Sequence, residues 1–277
     1  MNNSIVRHIP AYILLLLVSA VILFPFLWMI TTALKDPTKI FMFPPQWLPD
    51  PFVWRNFTDV FSKQPHFLLY FWNSLYIATL VTVGTCLISA MAGYAFAKIP
   101  FRFRNIIFLV LLSGMMIPSE VTAVPMFVWM TKLGLTDSHF PLIFPPMLGR
   151  EALFGVFLLR QFFITIPGDL DEAAKIDGCT PWKTFWSIMF PLAGPSLSTL
   201  AIFTFLHSWD NYFDPLIFIS TDQLFTLPVG LKLFTDAAGT QWNLLMAASV
   251  MATLPLMLVF FFAQKRFIEG VAMTGLK

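Results

Sequence analysis

The chain has 277 residues, of which 57% are hydrophobic and 12% charged, with a net charge of +2 and a mean hydropathy of +0.75. Soluble domains carry about 25% charged residues, so half of the charge needed to wet a soluble surface is missing, and the small net charge leaves no electrostatic footprint for nucleic acid. Cys86 and Cys179 fall in an apolar run and in a polar loop, which offers neither a disulfide framework nor paired metal ligands. The composition is that of an all-α integral membrane protein.

A span needs roughly 20 mostly apolar residues. That criterion predicts six: Ala11–Leu34, Trp72–Ala97, Ile106–Met130, Leu142–Phe163, Leu192–Tyr212 and Leu244–Ala263. The first contains a cleavage-like "VSA" at Val18–Ala20. Its apolar run continues through Leu23, Phe26 and Trp28, past the roughly 7–15 residues of a signal-peptide core, so it reads as an uncleaved span. The loop that follows, "KDPTKIFMFPPQWLPDPFVWRNFTDVFSK", is Pro-rich and then turns helical. Val53, Phe57, Val60 and Phe61 are predicted on one face, as an amphipathic cap on the bundle. Pro25, Pro118, Pro125 and Pro255 interrupt spans, and because apolar sequence resumes after each they are expected to kink a span without ending it.

Ionisable residues inside spans are the default pathway candidates. Glu120 lies towards one end of span three, Arg150 and Glu151 lie in span four, and Asp210 near the end of span five. Neighbours in a helix do not face each other, so Arg150 and Glu151 need not pair. The competing reading for each is an inter-helix hydrogen bond or a snorkelling side chain. Asn73, Ser74 and Asn211 suit polar contacts between helices, with Asn73 and Asn211 kept among the pathway-lining candidates. Trp28, Trp72 and Trp129 fit an interfacial belt.

Orientation follows from the basic residues. With the amino end inside, the inner segments carry Arg7, the cluster Lys98, Arg102 and Arg104, then Arg160, Lys175, Lys183, Lys265, Arg266 and Lys277. The outer segments carry Lys35, Lys39, Arg55, Lys63, Lys132 and Lys232. The inner set is the larger, and "KIPFRFR" is its densest part, so both termini are expected in the cytoplasm.

Between spans four and five lies "GDLDEAAKIDGCTPWKTFWSIMFP", Gly168 to Pro191. Asp169 and Glu172 have capping-box spacing, and Asp169, Asp171 and Glu172 complement a helix start. Asp177-Gly178 reads as a helix stop, and Thr180-Pro181 as an N-cap followed by N1 of a second helix. Trp182, Phe185, Ile188 and Met189 would give that helix an apolar, aromatic face. The result is a stiff elbow that a soluble partner could grip, or else a helix lying on the membrane surface.

This segment resembles the EAA motif of ABC importer permeases, matching at Glu172, Ala173, Ala174, Gly178, Ile188 and Pro191, with Phe190 where Leu is usual and Cys179 where a small Ala is usual. "FLHSWDNYFDPLIF", "TLPVGL" and "FFAQKRFIEG" extend the resemblance over nearly the whole chain, to the smaller, six-span member of the permease pair in the carbohydrate-uptake, maltose-type, binding-protein-dependent branch. The tail, Gly275-Leu276-Lys277, departs from the family's usual Gly-Ala-x-Lys-Gly ending. The resemblance implies a type I ABC importer permease fold in a bacterial cytoplasmic (inner) membrane. It implies an N-terminal span and extracytoplasmic loop over 1–66, a permease core over 67–265 with a coupling loop at 168–191, and a cytoplasmic tail over 266–277. It further implies a homologous permease as heterodimer partner, two ATPase subunits that bind the ATP and Mg, an extracytoplasmic solute-binding protein, and no cofactor on this chain. Glu172, Ala173, Ala174, Asp177, Gly178, Trp182, Ile188 and Pro191 would form the ATPase-coupling loop. The substrate would be a sugar or oligosaccharide, with a glycerol phosphate ester as the alternative, and in this family the partner permease often supplies most substrate contacts.

The chain has no Gly-x-x-x-x-Gly-Lys-Ser/Thr phosphate loop, no His-Glu-x-x-His and only scattered histidines. It is not expected to be an enzyme. A secondary carrier or channel without an ATPase is the alternative of a different class, and it leaves the capped elbow without a purpose.

Overall fold

The computed structural model describes the backbone of residues 3–275 except 238, and side chains of residues 10–261 with the same exception. In chain order the helices are α1 (Asn3–Ala33), α2 (Arg55–Lys63), α3 (Phe67–Lys98), α4 (Arg104–Ser113), α5 (Ser119–Lys132), α6 (Phe140–Leu148), α7 (Arg150–Thr165), α8 (Gly168–Ile176), α9 (Pro181–Thr184), α10 (Phe190–Leu192), α11 (Gly194–Trp209), α12 (Phe213–Phe218), α13 (Leu227–Lys232) and α14 (Trp242–Gly275). A two-residue pair, β1 (Thr235–Asp236) and β2 (Gly239–Thr240), is the sheet among the described residues; it is antiparallel with Thr235 opposite Thr240. The all-α expectation holds.

Four segments are long and apolar enough to cross a bilayer: Pro10–Ala33, Phe67–Lys98, Phe140–Thr165 (α6 and α7, parted at an extended Gly149) and Trp242–Phe261. They cover the first, second, fourth and sixth predicted spans. The third is a bent pair, Arg104–Met116 with Ser119–Lys132 at 95°, and the fifth corresponds to Gly194–Trp209, entered from the loop helix Pro181–Leu192 through a 76° bend. Pro118 is therefore more than a kink. It has no N–H to continue the helix, and it forces Ile117 into an extended conformation (ψ 118°) before capping α5 in an extended conformation itself (ψ 137°). Pro25, Pro125 and Pro255, in contrast, lie inside unbroken helices. Helix α11 stops at Trp209, so the predicted end of span five at Tyr212 runs three residues too far.

The chain divides into two compact units. The first comprises Met1–Leu68 and Gly230–Leu254. Within it α1 is exposed from residue 10 to 27 and apolar all round, as a lipid-facing helix should be. Its last carbonyls would be orphans. The buried Asn56 amide donates to Ala33 O and Lys35 O, both at 2.8 Å, and Asn243 Nδ2 donates to Asn56 Oδ1 at 2.9 Å. Helix α2 rests on Asn56 and the fully buried Val60, while Phe61, expected on the same face, is exposed.

The second unit comprises Leu69–Val229 and Pro255–Lys277. Small residues let α3, α7 and α11 approach closely, as in membrane bundles generally. A Cβ on Gly155 would lie 2.4 Å from Ser89 Oγ and 2.6 Å from Leu200 Cδ2, and one on Gly93 would lie 3.0 Å from the Arg160 backbone nitrogen. Ser89 Oγ donates to Ala152 O at 3.0 Å. Below this seam Tyr94, Leu159, Phe163, Phe185, Met189 and Leu200 form a buried core. The side chains of the 266–277 tail lie outside the described residues.

Candidate functional site

The 168–191 loop folds as an elbow. Helix α8 begins at Gly168 with Pro167 as its N-cap (ψ 142°) and no side-chain cap. The expected Asp169–Glu172 capping box is thus absent. Pro167 already supplies the extended entry, which moves Asp169 into the first turn, where with Asp171 it complements the helix dipole. The stop is as read from sequence. Gly178 takes φ +71°, its N–H donates to Lys175 O at 3.0 Å, and Cys179 N–H donates to Ala174 O at 2.9 Å. These are the paired bonds of a Schellman ending. Thr180 then caps α9, its Oγ1 accepting from Lys183 N at 3.3 Å, with Pro181 at N1.

Beyond α9 the helix relaxes into a π turn, Phe185–Met189. This splits the expected aromatic face. Phe185 and Met189 turn into the core and are inaccessible, whereas Trp182 is 62% exposed. Glu172, Ala173, Asp177, Gly178 and Pro191 are also exposed, Ile188 is half-buried and Ala174 is on the buried face of α8. Ile176, at 87% exposure, is the most prominent apolar side chain of the elbow and was not among the sequence candidates.

Nor was the clasp that holds the elbow. Lys98, the last residue of α3, donates to Asp171 Oδ2 and to Ile166 O, each at 2.8 Å. Both side chains are mostly buried, at 13% and 17% exposure. Beside it Met91, Tyr94, Ile99, Pro181, Trp182 and Phe185 line an apolar hollow of about 460 Å³.

A second hollow, of about 380 Å³, is walled by α5, α6, α7, α11 and α12. It brings together Glu120, Arg150, Glu151 and Asn211, four of the six pathway candidates. Asp210, exposed at the C-cap of α11, is not on its wall, and neither is Asn73. Asn73 is buried and donates to Gln223 O at 2.9 Å and Phe225 O at 3.0 Å, while Ser74 accepts from Leu227 N at 2.8 Å. Both tie α3 to the approach to α13. Arg150 and Glu151 do not pair. Glu151 lies 3.3 Å from His207 Nε2, and Arg150 is exposed and forms no ion pair among the described residues. Asn211, in the link after α11, donates through Nδ2 to Asp214 Oδ2 at 2.7 Å and accepts from Asp214 N at 3.2 Å, bracing the first turn of α12. Thr204, His207 and Ser208 face the hollow from α11, and Asn211 from the link that follows it. The spacing of the first three is that of one helix face, a legible stripe of which none was singled out. No His, Cys, Asp and Glu cluster fit for a metal occurs among the described residues.

A polytopic helical protein with a two-helix elbow between α7 and α11 is the architecture of an ABC importer permease. The fold matches that of a bacterial ABC transporter involved in the import of the acidic polysaccharide alginate, with a TM-score of 0.79 and 20% identity over 96% of this chain and 99% of that one. The chain belongs to the family of binding-protein-dependent transport system inner membrane components, matching over residues 84–272. Among its relatives are the arabinooligosaccharides transport system permease protein AraQ of Halalkalibacterium halodurans (35% identical; 94% of this chain, 93% of that one) and its Bacillus subtilis counterpart (34%; 98% and 99%). The sn-glycerol-3-phosphate transport system permease protein UgpE of Yersinia enterocolitica is 32% identical over 94% of both chains. The chain is a multi-pass transport permease.

Proposed function

We propose that the protein is half of the translocation pathway of an ATP-driven importer for a sugar or oligosaccharide. It pairs with a homologous permease, is fed by an extracytoplasmic binding protein and is driven by two ATPase subunits that hold the ATP and Mg. On this reading the 168–191 elbow and both termini are cytoplasmic, a side supported by the basic-residue bias. The observation that carries the reading is the elbow itself. Its backbone is fixed by a Schellman stop, a Thr cap and the Lys98–Asp171 clasp, yet Glu172, Ile176 and Trp182 stand out from it. A rigid ridge with an apolar knob and a carboxylate is suited to seat in a cleft and transmit its movement. The ATPase can shift the permease only by its differential affinity for two states of that cleft.

A Cys179→Ser background carrying Ile176→Cys tests this in native membranes with a short bifunctional thiol cross-linker. A phosphate-loop ATPase should be trapped on residue 176, and the same cysteine placed at the lipid-exposed Leu16 should trap none. No ATPase on residue 176, with the chain moving solute in vesicles without ATP, would replace the importer by a secondary carrier.

A further inference from the structure

We propose that the hollow between α5, α7 and α11 is a subsite on this chain for an uncharged saccharide, with Glu120, Glu151 and the Thr204 hydroxyl as its selecting groups. The inference rests on the importer reading and specifies its substrate. Thr204 is the independent sign of a ligand. It is only 1% exposed, it lines the hollow, and its Oγ1 has no hydrogen-bond partner. A helical threonine ordinarily bonds the carbonyl one turn back, as Thr199 does to Pro195 O at 3.1 Å in the same helix. An unpaired buried hydroxyl is unfavourable unless something visiting the site completes it.

The charge of the wall decides what that visitor is. Glu120, Glu151 and Asp214 are acidic, against Arg150 and a His207 already facing Glu151. A wall with more carboxylate than cation repels phosphate esters and sugar acids, while carboxylates accept well from the hydroxyls of a neutral sugar. Phe213 and Phe218 supply apolar wall beside these few polar groups, the usual balance of a small-molecule site. Arg150 does not make a phosphate site on this reading, because three carboxylates, Glu120, Glu151 and Asp214, share the hollow with it.

The test uses the complex as it purifies, in proteoliposomes with ATP inside and the binding protein outside. The probes are neutral pentose and hexose trisaccharides and the same sugars ending in a uronic acid. Each uptake rate is divided by the binding protein's occupancy, measured separately. The wild type should favour the neutral member of a pair by about tenfold or more, since juxtaposing like charges costs more than a single hydrogen bond returns. Glu120→Gln with Glu151→Gln should narrow that preference. Thr204→Val should raise KM for the neutral sugar while the melting temperature stays level or rises, because the hydroxyl it removes has no partner in the fold. Equal uptake of both members by the wild type, a preference for the acid, or a Thr204→Val transporter with unchanged KM overturns the subsite and leaves the importer standing. No ATP-dependent uptake of any probe overturns the sugar-importer reading and the subsite with it.

Discussion

At Gly178 the cost of a side chain is set by the backbone alone. No heavy atom lies within 4 Å of a Cβ built there, but φ is +71°, a conformation that costs a non-glycine residue about 1–2 kcal/mol, with Asp and Asn at the low end. Gly178→Asp should therefore leave membrane insertion intact. Its expected effect is on docking: uptake falls and less ATPase co-purifies, while Gly178→Asn, with the same backbone cost and no charge, is milder. Normal uptake by Gly178→Asp would remove the elbow from the coupling route. Asp137 is a different case. It accepts from Ser220 N and Thr221 N at 2.8 Å and from Thr221 Oγ1 at 2.6 Å, and these bonds, Thr221's first, hold its carboxyl below the usual carboxylate range. A group with a lowered folded pKa contributes fully above its unfolded value, about 4, and loses that contribution as pH falls through the folded one. Protection of the Ser220 and Thr221 amides, their exchange rate taken relative to the unprotected rate at each pH, should accordingly fall on acidification below about pH 4. In Asp137→Asn, whose Oδ1 still accepts but carries no charge, that protection should be lower at neutral pH and change little with acid. The Gly178 stop was legible because a left-handed residue after an amphipathic turn is a local signal. The Asp137 staple was not, since it joins segments far apart in sequence.

Elements show the same division. The stop at Asp177-Gly178 and the Thr180-Pro181 start, both set by neighbouring residues, could be read directly, whereas the capping box expected at Asp169–Glu172 gives way to Pro167 as the N-cap. The face that Phe185 presents could not be read, because the π turn shifts the register that ordinary helical spacing assumes. The Lys98–Asp171 clasp links the end of α3 to α8, and nothing in either local sequence announces the other. Removing one partner of so enclosed a pair costs roughly 1–3 kcal/mol, below the figure for full burial because each retains some solvent. Lys98→Met should let the complex assemble and hydrolyse ATP while uptake drops several-fold, since the elbow then moves without pulling α3. Lys98→Asp combined with Asp171→Lys should restore part of it. Equal losses of hydrolysis and uptake would mean the clasp only supports folding. The seam between α3, α7 and α11 is less forgiving. Gly155→Leu would drive a side chain into Ser89 and Leu200 and is expected to cost about 1–3 kcal/mol or more, seen as loss of the mature protein from the membrane and not as a changed KM.

On the scale of the whole molecule, hydropathy identified the membrane-crossing material well and its path poorly. A hydropathy window counts apolar residues without registering direction, so α4 and α5 summed to a single span although 95° separates them. The break has a consequence for how the protein is made. Helix α4 has 10 residues and α5 has 14, about 15 and 21 Å at 1.5 Å per residue, against a hydrocarbon core of about 30 Å. Neither can cross alone. The irregular backbone at Ile117–Pro118 is tolerable at membrane depth only against other protein or in a watered cavity. That cavity is walled in part by α7 and α11, which the ribosome has yet to make when Lys132 emerges. Residues 104–132 therefore cannot settle in lipid on their own schedule. They are expected to settle only once later helices arrive, which makes biogenesis of this chain a matter of order, and a chain stopped after Lys132 should be short-lived in a pulse-chase beside the full chain.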